Sequence, residues 1–166
     1  IPTDTARGPG FFLKAAWNYG ESLLLTDLLN IVFADPKIAK AAHNIKYDNN
    51  VIRYWLSIVI KGFLFDTMLM HHVLDEHPPH DLETLSDVEF GTGDYSATKR
   101  AITGHGRNLL RTYDHVPCNI LYPYAAMDAE CVYRLCEVYY YRMMQEPHLW
   151  KLYCEETEPA IYTLTK

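Results

Sequence analysis

Ile38-Ala39-Lys40-Ala41-Ala42-His43, then Asn44-Ile45-Lys46-Tyr47-Asp48, then Gly62-Phe63-Leu64-Phe65-Asp66-Thr67 carry the alternation that decides the fold. The first stretch is short and apolar and reads as a buried strand, although its alanines suit a helix as well. Residues 48–60 place Val51, Ile52, Trp55, Leu56 and Val59 at helical spacing. Phe63 to Phe65, after Gly62, read as a second short buried strand, and Thr67 to Leu74 start a new helix. Short strands alternating with helices predict an α/β layered domain.

The flanks extend this pattern. Gly8-Pro9-Gly10 predicts a turn before an extended Phe11-Phe12-Leu13. Ser22 to Phe33 is apolar at helical spacing, with Ser22 as N-cap and Asp35-Pro36 as a stop. Downstream, Pro78-Pro79 breaks the chain and Asp81 can cap a helix running through Leu85. Residues 86–116, with Gly91, Gly93, Gly104 and Gly106, are the least regular part. Residues 127–144 form the longest helical pattern, ending at Pro147, and residues 150–164 a last helix interrupted at Pro159.

Composition bounds the function. A chain of 166 residues, 49% hydrophobic, can bury a core and is no disordered tail. No apolar run nears the roughly 18 residues that cross a bilayer. Ile1-Pro2-Thr3-Asp4 does not resemble a signal peptide, so no membrane partner is expected. The first residue is not Met, which reads as a stretch of a longer protein. Cys118, Cys131, Cys136 and Cys154 lack CxxC spacing; core thiols in a reducing cytoplasm are the expectation. A net charge of -6 argues against a passive DNA-coating protein. It leaves room for an enzyme whose carboxylates hold metals. No GxSxG elbow or phosphate-binding GxxxxGK[ST] loop is present.

Three constellations carry chemistry. Asn44 falls at a strand's end and Asp48 in the first turn of the next helix, where a carboxylate can reach a metal at the sheet edge or simply complement the helix N-terminus. Asp66 closes the second strand and most simply caps the helix after it. Tyr124-Ala125-Ala126-Met127-Asp128 sets a phenol and a carboxylate one helical turn apart. Asp128 can then bind a metal while Tyr124 positions a water, unless the two are an ordinary Tyr and a solvated Asp.

In this order and spacing, with Phe65-Asp66-Thr67-Met68-Leu69 between them, these segments resemble the DEDD exonucleases that carry a tyrosine in the third motif. The closest likeness is to the 3′→5′ proofreading domains of bacterial and phage family A DNA polymerases. Residues 43–48 look like that family's second motif and residues 124–128 like its third. His80-Asp81-Leu82-Glu83-Thr84-Leu85 resembles the segment after its FDTML stretch, and Tyr153 to Pro159 the helix leading toward the polymerase. The likeness covers roughly residues 20 to 166. It implies a ribonuclease H-like fold, a mixed sheet flanked by helices, with residues 1–150 as a partial exonuclease domain and 151–166 leading to a polymerase domain of the same parent chain. It also implies two divalent ions, Mg²⁺ or Mn²⁺, and hydrolysis of the terminal phosphodiester at a single-stranded DNA 3′ end. By the same likeness, Asp48 and Asp128 are catalytic metal ligands and Tyr124 orients the nucleophilic water. Asn44 and Lys46 meet the 3′ nucleotide.

One departure matters. The family's first motif, an Asp-x-Glu pair on the first strand, has no match before residue 43. Asp4-Thr5-Ala6 lacks the Glu, and Asp128-Ala129-Glu130 lies within the third-motif helix, where neighbours two apart diverge. The first strands and half of the metal carboxylates are therefore expected to be missing, and the chain alone to be inactive. Lys99, Arg100, Arg107 and Arg111 form an acid-free basic stretch that can line a DNA path, with Arg100 and Arg107 as substrate contacts, or balance nearby acids. His71, His72, His77 and His80 fit no standard zinc spacing. The rival reading is a non-catalytic DNA-binding or structural platform on the same fold.

Overall fold

A computed structural model describes residues 19–105, 108, 109, 113 and 116–164. In chain order the elements are α1 (Tyr19–Phe33), β1 (Lys40–Ala42), α2 (Ile45–Leu56), β2 (Leu64–Asp66), α3 (Thr67–Leu74), α4 (Leu82–Phe90), α5 (Ala97–Thr103), β3 (Gly104–His105), β4 (Asn108–Leu109), α6 (Cys118–Gln145), α7 (Pro147–Leu152) and α8 (Glu158–Leu164). A π-helical turn, Tyr153–Thr157, separates α7 from α8. The expected turn at Gly8 to Gly10 and the extended segment at Phe11 lie outside the described residues.

The described chain divides into two compact units, one ending at Asp66 and rejoined by the segment from Cys154, the other Thr67–Tyr153. In the first, β1 and β2 pair in parallel with Lys40 opposite Leu64 and Ala42 opposite Asp66. Since α2 connects them, this is a βαβ unit. Ile45, Ile58, Ile60, Leu64 and Ile161 are buried in this unit. Lys40 is buried too, and its ammonium is satisfied by the carbonyls of Asp35 and Lys61, each at 2.6 Å. Gly62 has φ +92°, and a Cβ there would sit 2.5 Å from the Ile38 carbonyl oxygen, so only glycine fits the turn into β2. The edge amide of Leu64 donates to the buried Glu158 carboxylate at 3.1 Å, and the Tyr162 hydroxyl donates to the Gly62 carbonyl. Thus α8 closes over the start of β2.

The second unit is built on α6. Cys131, Leu135, Tyr139 and Met143, four residues apart, form its fully buried stripe. Helices α3, α4, α5 and α7 pack on α6. Arg142 grips Glu89 of α4 through two bonds, 2.6 and 2.7 Å, and Arg134 lies 4.0 Å over the Phe90 ring.

The α/β alternation appears, yet the described residues are mostly helical. Their sheets are the two parallel strands and the two-residue antiparallel β3–β4 hairpin, a smaller sheet than the mixed one expected. Several boundaries also differ. Helix α1 begins at Tyr19, so Ser22 lies inside it and is not its N-cap. Helix α2 spans Ile45–Leu56, not 48–60, because Ser57 turns left-handed and Ile58 and Ile60 alternate inward in extended chain. Helix α4 continues past Leu85 to Phe90, where left-handed Gly91 ends it, and Asp81 caps it as expected by accepting from the Thr84 amide at 3.0 Å. Helix α6 starts at Cys118, ahead of the expected residue 127, and holds Pro123 within it. Toward the C-terminus the break is the π turn. Pro159 instead sits at the second position of α8, where a missing N–H costs little.

Candidate active site

Each unit holds one group of the residues singled out from the sequence. In the first, Asp48 lies in the opening turn of α2, beyond the carboxyl end of β1. That is where open parallel sheets place their sites. Asn44, at the junction, takes a left-handed backbone with φ 60° and ψ 51°. Asp66 closes β2 and is 1% exposed. Its two oxygens accept separately from the backbone amides of Asn44 (3.0 Å) and Ile45 (2.9 Å). The acid on one strand thereby supplies the acceptors that the first amides of α2 need. The sequence points to Asp66 as a cap for α3; the structure adds its bonds to the start of α2.

Asp48 is half-buried. Burial first, and the neighbouring Asp66 carboxylate second, hold its pKa above the ordinary carboxylate range. A cation beside it would favour the charged form. Lys46 is exposed beside it. The side-chain oxygen of Asn49, next in the helix, is buried without a hydrogen-bond partner.

In the second unit, α6 carries Tyr124 and Asp128 one turn apart on one face. A second phenol arrives from the segment before α5: Tyr95 donates to Asp128 Oδ1 at 2.8 Å. The two rings stack at 6.0 Å with 28° between their planes. Burial, then the Asp128 bond, pushes both phenols far above their usual pKa, so both stay protonated donors at ordinary pH. Lys99 is buried with its ammonium 4.1 Å from the Tyr124 ring centre and 3.8 Å from Glu83. Beside them opens a cavity of about 300 Å³ lined by Tyr95, Thr98, Lys99, Asn119, Pro123 and Tyr124, among others. Pro123 supplies no N–H for the Asn119 carbonyl one turn back.

The basic stretch is less free than its sequence suggests. Arg100 is held by Glu83, Asp94 and the Ser96 hydroxyl, and Lys99 is inside the protein. Arg107 and Arg111 lie outside the described residues. At the end of α3 the histidines bond one another: His80 meets His71 at 2.8 Å and His72 at 3.4 Å, while His77 pairs with Asp75. Among the described residues no three His, Cys, Asp or Glu side chains gather as a metal site. Sequence reasoning missed Tyr95, which is 33 positions from Asp128 in a glycine-rich stretch without helical or strand periodicity.

A family model described as 3′-5′ exonuclease matches residues 12–138. The chain is similar to DNA polymerase I of Chloroflexus aurantiacus, 32% identical over 133 residues, covering 80% of this chain and 14% of that protein. It is similar to the DNA polymerase of Escherichia phage T5, 29% identical over 136 residues, 75% of this chain and 16% of the relative. To DNA polymerase I of Pseudomonas aeruginosa it is 30% identical over 141 residues, 83% of this chain and 15% of the relative. The match thus spans about a seventh of each relative's length. No solved structure matches.

Proposed function

Because the chain belongs to the 3′-5′ exonuclease family of family A DNA polymerases, we propose that it serves as the proofreading part of such a polymerase. It would hydrolyse the terminal phosphodiester at the 3′ end of single-stranded DNA. The observation that carries this is Tyr124 and Asp128 one turn apart on one face of α6, with the Tyr95 hydroxyl donating to Asp128. The family expectation of a ribonuclease H-like fold accords with the βαβ unit that sets Asp48 at the sheet's carboxyl edge.

Asp48 and Asp128 are hard oxygen donors of the kind Mg²⁺ and Mn²⁺ take, and the raised pKa of Asp48 fits a carboxylate waiting for a cation. When bound, such ions would offset charge on the attacking and leaving oxygens. The protein's own contributions are separate from theirs. Tyr124, kept protonated, is a donor able to orient a water rather than a base that takes its proton. Asn44 and Lys46, at the same junction as Asp48, are assigned to the terminal nucleotide. Arg100 and Arg107 are assigned to the DNA backbone, and Arg100 would have to exchange its Glu83 and Asp94 partners for phosphate. Residues 151–166 would lead to the polymerase domain.

Two of the family's four carboxylates are assigned, and the described residues gather no three-ligand set. The 166-residue chain is therefore expected not to cut alone. The test is release of nucleotides from a 5′-labelled oligonucleotide in Mn²⁺. The chain as it stands would be compared with a version extended by an Asp-x-Glu strand at its N-terminus, each with and without Asp128→Asn. Cutting by the extended protein, abolished by Asp128→Asn, supports the assignment. Cutting that survives Asp128→Asn, or an extended protein that binds DNA and never cuts, turns the reading to the non-catalytic platform.

A further inference from the structure

Asp128 is a partly buried carboxylate met by two phenols, and among the described residues no lysine or arginine pairs with it. The nearby cations are engaged elsewhere: Lys99 with Glu83 and the Tyr124 ring, Arg100 with Glu83 and Asp94. The two phenols are not equivalent. Tyr124 shares a helix with Asp128 and lies one turn from it. Tyr95 reaches Asp128 from another segment, and its ring lies against that of Tyr124. One side chain therefore touches both members of the pair, the carboxylate through its hydroxyl and the phenol through its ring face.

We propose that Tyr95 is a positioning residue for the Tyr124–Asp128 pair: its hydroxyl fixes the rotamer of Asp128 through Oδ1, and its ring fixes the plane of Tyr124. This rests on the exonuclease reading of Asp128. A tyrosine serving only to fill space would need the ring alone; Tyr95 is partly buried and lines the cavity. The hydroxyl is what ties it to the carboxylate. A free carboxylate on a helix samples several χ1 and χ2 states; bonding one oxygen to a phenol anchored elsewhere selects one of them. The second oxygen is then presented in a fixed direction before any ligand arrives, which lowers the entropy lost on reaching the reactive arrangement.

Tyr95→Phe removes the hydroxyl and keeps the ring stack, so it tests the bond rather than the packing. Two measurements decide. In the 166-residue chain, carbon-13 labelling of aspartate side chains reads the carboxyl resonance of Asp128 directly. Tyr95→Phe should shift and broaden it while the thermal midpoint stays near that of the unaltered chain. In the extended protein with Mn²⁺, Tyr95→Phe should lower kcat about 10- to 100-fold, the range for losing a partner that orients a site carboxylate, with KM for the oligonucleotide little changed. Tyr95→Leu, which loses hydroxyl and stack together, should be worse than Tyr95→Phe. An unmoved Asp128 resonance together with unchanged kcat overturns the positioning role while leaving the exonuclease reading intact. Full cutting by Asp128→Asn overturns both, because there is then no essential carboxylate to position.

Discussion

At residue 44 a single dihedral separates two explanations for one side chain. Asn44 sits at φ 60°, in the region that asparagine tolerates better than other residues with a Cβ except aspartate, so it is suited to this junction whether or not it meets DNA. Asn44→Ala is expected to cost about 1–2 kcal/mol in chemical denaturation, and Asn44→Gly little or nothing. Loss of DNA affinity in the stable Asn44→Gly protein would then belong to the amide side chain itself. Asp48 offers the opposite case, a residue poorly placed for stability. Its folded pKa lies above the unfolded value, so its contribution is fully present below the unfolded carboxylate pKa and is lost as pH rises through the raised folded one. Asp48→Asn should therefore raise the thermal midpoint at pH 7 and lose that advantage on acidification below the carboxylate range; a scan across pH checks it. At this scale the sequence was informative where chemistry is local. Tyr124 and Asp128 are four apart on one helix, and their shared face follows. Tyr95 was invisible because its partner is remote and no pattern marks the loop it comes from.

At the scale of elements, short strands and whole helices were legible in different degrees. Helix α3 runs over Thr67–Leu74 as its spacing implies; β1 falls inside the stretch named for it, and β2 runs one residue later than Phe63 to Phe65. Helix starts were less legible, since the acceptor for a helix's first amides need not be a neighbour in sequence. Helix α2 begins at Ile45 because Asp66, 21 residues later, bonds the Ile45 amide. The same contact predicts a large effect from a small change. Asp66→Ala would strand two amides at the start of α2 and is expected to destabilise by about 2–3 kcal/mol, measured by urea unfolding. Asp66→Asn, which keeps one good acceptor, should recover part of that loss. Glycine density misled the reading of residues 86–116. Gly91 ends a helix and Gly104 opens a hairpin, so two of those glycines are boundaries of regular structure and not signs of its absence.

For the molecule as a whole, family membership was carried by the order of motifs, and the described structure adds where each motif sits within its own unit. No helix among the described residues is long and apolar enough to cross a membrane. The conspicuous basic side chains Lys99 and Arg100 do not offset the acidic balance as free charge, because Glu83 and Asp94 already neutralise them locally. Sequence counting could not separate bound from available charge. It registers residues, and only packing shows that these two are already matched.

The bond from Glu158 to the Leu64 amide has a consequence for where this protein can be divided. A buried backbone amide at the start of a three-residue strand needs an acceptor. The carboxylate of Glu158, 94 positions later, supplies it for Leu64. The segment that resembles a connector is thus also part of the fold of β2. Ending the protein at residue 153 should leave that amide without this acceptor and lower the thermal midpoint, while Glu158→Gln, which keeps an acceptor, should lose less. A domain boundary drawn near residue 150 would separate the strand from its acceptor.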